Sequence, residues 1–177
     1  MDFAKVLDLV GAFLDAGGFR HAVVGAVGLS AYGLNRATQD LDFVVEAKAQ
    51  APLVGFLDGL GYETLHASAG YSNHVHPMSG LGRVDFIYVD EATAGVLFRE
   101  AGKCLSLGGR TVQVPKPEHL AAMKIKAMKN DPSRRFQEMA DIQFLLSVPN
   151  VDRDAVRRYF AAQGLLERYE EILHALE

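Results

Sequence analysis

Asn35-Arg36-Ala37-Thr38-Gln39-Asp40-Leu41-Asp42-Phe43-Val44-Val45 is the stretch on which the reading of this chain turns. Its second half alternates carboxylate, apolar, carboxylate, apolar and then stays apolar. That pattern predicts a strand with two acids on one face at its outer end and a buried inner end. Two acids side by side on a rigid strand repel each other unless a cation joins them. Hard carboxylate oxygens suit Mg²⁺, which keeps several waters and shares its remaining positions with substrate phosphates. Asp40 and Asp42 are therefore read as metal ligands, and a two-metal phosphoryl-transfer centre is one natural chemistry for them.

Upstream of this stretch, Phe3, Val6, Leu7, Val10, Phe13 and Leu14 recur at helical spacing until Gly17-Gly18 stops the helix. His21-Ala22-Val23-Val24 reads as a short buried strand ending at Gly25, and residues 26–33 as a short helix. Pairing of that strand with the acidic one would set Gly25 and the helix start beside Asp40 and Asp42, where free N–H groups meet phosphate oxygens. Downstream, a helix is expected over residues 52–60, then strands over 62–66 and 71–76 and a stronger one over 83–88. Asp85 sits in that last strand among Val84, Phe86 and Ile87, where an acid needs a partner, and it is the third candidate carboxylate.

The remaining pattern predicts a short helix over 92–99 and a hairpin over 103–114 that turns at Gly108-Gly109. Pro115 and Pro117 then mark a boundary. Beyond it the strand signal vanishes and four helices are expected, over 118–129, 132–147, 152–163 and 165–176. The fold class is thus α+β: a small mixed sheet with flanking helices over residues 1–115, followed by a C-terminal helical lobe over residues 116–177.

Composition narrows the function. No apolar run approaches the about 20 residues that span a bilayer, and the N-terminus carries no secretory pattern, so a cytoplasmic protein without a membrane partner is expected. The lone Cys104 excludes an intramolecular disulfide framework and is expected to be a buried hydrophobe. A net charge of −4 argues against a dedicated duplex-DNA binder. Between Lys103 and Arg135, however, eight basic residues face two acidic ones, a flank suited to a polyanionic substrate. His74-Val75-His76 puts two imidazoles on one strand face, but zinc would need further ligands that the sequence does not supply nearby. Gly25-x-x-Gly28 falls short of the dinucleotide fingerprint.

Taken in order, Val24-Gly25-Ala26, then Arg36-x-Thr38-x-Asp40-Leu41-Asp42-Phe43, then Val84-Asp85-Phe86 resembles the nucleotidyltransferases of the DNA polymerase β superfamily, in particular the AbiEii-type and minimal nucleotidyltransferase branch. Lys124-x-x-Ala127, Arg134/Arg135 and Glu138-x-x-Asp141 extend the resemblance into the helical tail. It implies a catalytic set of Asp40, Asp42, Asp85 and Lys124, with two Mg²⁺ ions on the three aspartates. It also implies an NTP substrate cradled by Gly25, Ala26, Arg36 and Thr38. The acceptor would be an RNA, a protein or a small molecule, and a toxin role would bring an antitoxin as partner. One position departs from the pattern: Ala26 stands where the branch has Gly or Ser, so a hydroxyl donor is missing. That departure frames the rival expectation, a catalytically degenerate protein that keeps the fold as a binding or interaction module.

Overall fold

Residues 1–99 and 102–176 are described in a computed structural model. They group into two compact units, Met1–Pro115 and Lys116–Glu177.

In the first unit, α1 (Phe3–Ala16) is capped by the Asp2 carboxylate, which accepts from the Lys5 N–H, and it turns Val6, Leu7, Val10 and Leu14 inward. Then follow β1 (His21–Val23), α2 (Gly25–Ser30), β2 (Asp40–Glu46), α3 (Gln50–Gly59), β3 (Glu63–Ser68), β4 (Tyr71–Val75), β5 (Arg83–Val89), α4 (Glu91–Leu97), β6 (Lys103–Leu107) and β7 (Arg110–Val114). Five strands form one sheet in the order β1-β2-β5-β4-β3, in which β2 and β5 run parallel and the other neighbours antiparallel. β6 and β7 make a separate hairpin, tied to α1 by Arg110, which reaches Asp8 at 3.1 Å and Asp15 at 2.6 Å.

Strand alternation divides the large sheet into two faces. Leu41, Phe43 and Val45 from β2 and Val84, Phe86 and Tyr88 from β5 point to the core, where α1 and the α3 residues Leu53 and Leu57 pack on them. The Phe43 and Phe86 rings stack across the parallel pair at 5.4 Å. The opposite face receives Asp40 and Asp42 from β2 and Asp85 from β5.

The second unit holds α5 (Pro117–Asn130), α6 (Arg135–Ser147), α7 (Arg153–Gln163) and α8 (Leu166–His174). Pro117 occupies the first turn of α5, where its missing N–H is no loss. The expected helix over 132–147 is divided, because Asp131 caps a single 3₁₀ turn, Pro132–Arg134, before α6 begins. Cys104, expected to be buried, is exposed. It lies on β6 opposite Gln113, while Val112 and Val114 of β7 supply the buried positions of the hairpin.

Candidate active site

Asp40, Asp42 and Asp85 meet at one end of the β2–β5 pair. The parallel register sets Asp42 directly opposite Asp85 and Asp40 opposite Arg83, so alternation on both strands delivers all three acids to one face. One carboxylate oxygen from each lies within 4.8 Å of the others, the one group of potential metal ligands of this kind among the described residues. Three hard oxygen donors this close fit a divalent cation such as Mg²⁺. A proton or a basic side chain is the alternative means of keeping them together.

Each acid has its own setting. The Thr38 hydroxyl bonds the Asp40 carboxylate and so helps to orient it. Asp42 packs against Gly25. There φ is +60°, and a Cβ built on Gly25 would fall 1.9 Å from Asp42 Oδ2. Pairing of β1 with β2, extended by the Val24 N–H donating to the Asp42 carbonyl at 2.9 Å, delivers the Gly25 turn to this spot. Only a residue without a side chain lets the chain turn here with Asp42 in place.

Asp85, 7% exposed, is held from two sides. Arg83 Nε and Nη2 donate to its two oxygens at 3.0 and 3.1 Å, and the Tyr71 hydroxyl donates to Oδ2 at 2.8 Å. Burial first, and then the hydrogen bond to Asp85, push the Tyr71 phenol up to about 12, so it stays a donor at neutral pH. The bond to Asp85 also raises the Arg83 pKa further above its already high ordinary value.

Of the expected phosphate-binding positions, Gly25 and Ala26 begin α2, and Ala26 is buried at 5% exposure. Arg36 is half-buried in the loop before β2. Lys124 lies in the second unit, buried in α5, with its ammonium 2.9 Å from Glu138 and 2.7 Å from Asp141 of α6. Arg134 reaches Glu138 as well, at 2.7 Å. The His74–His76 pair forms no metal group. The His74 ring is fully buried between the Thr64 and Ser72 hydroxyls, and His76 Nε2 bonds the Leu60 carbonyl.

No protein-family model matches the chain, and no curated protein matches it in sequence. Among solved structures it is similar to the antibiotic-resistance factor ANT(2'')-Ia, with a TM-score of 0.68 and 16% identity over 99% of this chain and 98% of that one. It is similar to the lincosamide antibiotic adenylyltransferase LnuA, with a TM-score of 0.55 and 14% identity over 81% and 96% of the two chains. An antigenic nucleotidyltransferase-like protein from Paracoccidioides brasiliensis gives 0.58 and 16% over 99% and 92%. The fold is that of the nucleotidyltransferases.

Within this nucleotidyltransferase fold, two site residues went unread in the sequence. Because β4 pairs with β5, setting Asn73 opposite Asp85 and Tyr71 opposite Ile87, Tyr71 reaches the Asp85 carboxylate and Asn73 stands beside it on the same face. A polar residue alternating with Ser72 and His74 carries no marker of which face it takes until that register is known.

Proposed function

We propose that this protein is a metal-dependent nucleotidyltransferase that moves a nucleoside monophosphate from an NTP to an acceptor hydroxyl. The observation that carries the proposal is the convergence of Asp40, Asp42 and Asp85 on one sheet face, one oxygen of each within 4.8 Å of the others. The fold shared with enzymes that adenylylate antibiotics supports it. Asp40, Asp42 and Asp85 would hold the divalent ions. Bound there, Mg²⁺ offsets triphosphate charge and lowers the pKa of the acceptor hydroxyl. Asp85, oriented by Arg83 and Tyr71, takes the hydroxyl proton. The acceptor oxygen bonds to the α-phosphorus as the bond from that phosphorus to the α,β-bridging oxygen breaks, and the electron pair leaves with pyrophosphate. Backbone N–H groups after Gly25, together with Arg36, are the groups proposed to meet the phosphates.

The acceptor is an RNA, a protein or a small molecule. The order Arg36-x-Thr38-x-Asp40-x-Asp42 supports a place beside the AbiEii-type branch, and with it a cytoplasmic toxin held in check by an antitoxin. To test the activity, the protein is incubated with each labelled NTP, Mg²⁺ and total cell extract, and both label transfer and pyrophosphate release are followed. Transfer is expected in the wild type. Asp42→Asn, by removing several kcal/mol of charge stabilisation, should lower the rate by about 10³-fold or more with the circular dichroism unchanged. A wild type that binds no NTP at millimolar concentration with Mg²⁺ would identify the chain as a non-catalytic binding module instead.

A further inference from the structure

The face that carries the carboxylates continues past β5. Asp42 pairs with Asp85, Asp85 with Asn73 and Asn73 with His66, one row across four strands, and beside it runs a second row of Asp40, Arg83, Val75 and Glu63. β3, at the outer end of both rows, is exposed along its whole length. An uncovered edge strand is a liability that proteins usually blunt, and here it adjoins the reactive acids. On the core face of the same strands every polar group is satisfied, as the Thr64–His74–Ser72–Tyr88 chain shows. On this face Asn73 makes no side-chain hydrogen bond among the described residues, and its Oδ1 is shielded from solvent with no donor. Buried amide oxygens are seldom left so. Turning about the last side-chain bond would exchange the two ends of this amide without breaking any bond, so a ligand group of either polarity can be met.

We propose that Asn73 and His66 form the acceptor floor of this site, with Asn73 hydrogen-bonding the acceptor beside its reacting hydroxyl. The acceptor that fits is a hydroxyl compound without positive charge. This rests on the nucleotidyltransferase reading. Arg83, whose side chain is 43% exposed, sets a guanidinium next to Asp85. The sole acid of β3 and β4 is Glu63 at the far corner, opposite Val75. Asp85 is already taken up by Arg83, so a cationic group lying over β4 and β3 meets no acid on those strands but Glu63, whereas an uncharged or anionic one meets an amide and an imidazole. The His66 ring lies 6.3 Å from that of Tyr71, and together they offer flat surfaces to a sugar or base ring.

The test separates cell extract by ion exchange into cation-retained, anion-retained and unretained fractions, each incubated with labelled NTP and Mg²⁺. Label is expected in the anion-retained fraction, pointing to an anionic acceptor, or in the unretained one, pointing to an uncharged acceptor. Label confined to the cation-retained fraction overturns the proposal. With the accepting fraction, Asn73→Leu should raise the half-saturating amount about tenfold, as expected for one hydrogen bond lost, while NTP affinity by calorimetry stays within twofold. The exposed-site variant His66→Glu, which spares the fold, should weaken acceptance from the anion-retained fraction in the same way. If the wild type transfers label and neither variant differs from it, the acceptor floor falls and the activity stands. If the wild type transfers to no fraction, both fall together.

Discussion

Gly25 is where one residue decides whether the site can exist. Its φ of +60° lies in the left-handed region, and the space a Cβ would take is already filled by the Asp42 carboxylate. Gly25→Ala is expected to cost about 1 to 3 kcal/mol in backbone strain and crowding, and to displace Asp42 so that Mg²⁺ affinity drops about tenfold or more. Urea denaturation and calorimetric Mg²⁺ titration read the two effects separately, and unchanged Mg²⁺ binding would refute the role given to this glycine. Its neighbour behaves differently. The Ala26 methyl is buried, so a serine hydroxyl placed there has little access to phosphate. The missing donor at this position therefore matters less than the sequence pattern implies.

At the level of the element, β4 serves two tasks with its two faces. Tyr71 and Asn73 look toward the carboxylates, while Ser72 and His74 close a buried chain in which His74 Nδ1 meets Thr64 Oγ1 at 2.9 Å and Nε2 meets Ser72 Oγ at 2.8 Å. Burial lowers the His74 pKa below its ordinary value, with Asp85 opposing weakly. In the unfolded chain this imidazole takes up a proton near pH 6.5, whereas the folded protein resists until lower pH. Stability is thus fully present above about pH 6.5, declines as pH falls below it, and levels off once the folded imidazole is itself protonated. Denaturation between pH 7.5 and 5 should show this decline in the wild type, and His74→Gln should flatten it even though its overall stability is lower. Equal slopes in the two proteins would remove His74 as the source.

Over the whole molecule, charge is divided unevenly. The first 115 residues carry twelve acids against eight bases, and the remaining 62 carry ten of each. The acidic excess belongs to the unit with the carboxylate site, so a divalent ion is expected to stabilise the protein there, by about 2.7 kcal/mol at a hundred times its dissociation constant. In the second unit charge acts internally. Lys124 joins α5 to α6 through Glu138 and Asp141, which are 0% and 3% exposed. Lys124→Met should destabilise by about 3 to 5 kcal/mol, since two buried carboxylates lose the ammonium between them and Glu138 keeps only the half-exposed Arg134, and replacing Glu138 and Asp141 by apolar residues as well should recover much of that. Chemical denaturation measures both. A Lys124→Met protein of normal stability but lost NTP binding would instead favour a direct phosphate role for this lysine.

Periodicity alone determined that residues 40–45 form a strand with Asp40 and Asp42 on one face, because alternation is a property of the backbone that no neighbour can alter. It also marked Asp85 as out of place, since an acid among Val84, Phe86 and Ile87 needs a partner wherever the strand goes. The proline and glycine signals bounded the helices for equally local reasons, with Gly17 and Gly164 closing α1 and α7. Register was different. That Asp42 lies opposite Asp85, that Arg83 and Tyr71 hold Asp85, that Asn73 extends the row and that His74 turns inward all depend on which strands pair and in what alignment. A slip of one residue would have sent each of these side chains to the other face. Cys104 escapes a sequence reading for the same reason, because an apolar run does not reveal which of its alternating faces meets solvent: Leu105 and Leu107 pack on the core and Cys104 points away. Only the burial of the β2–β5 core against α1 and α3 chose that alignment, and with it the site.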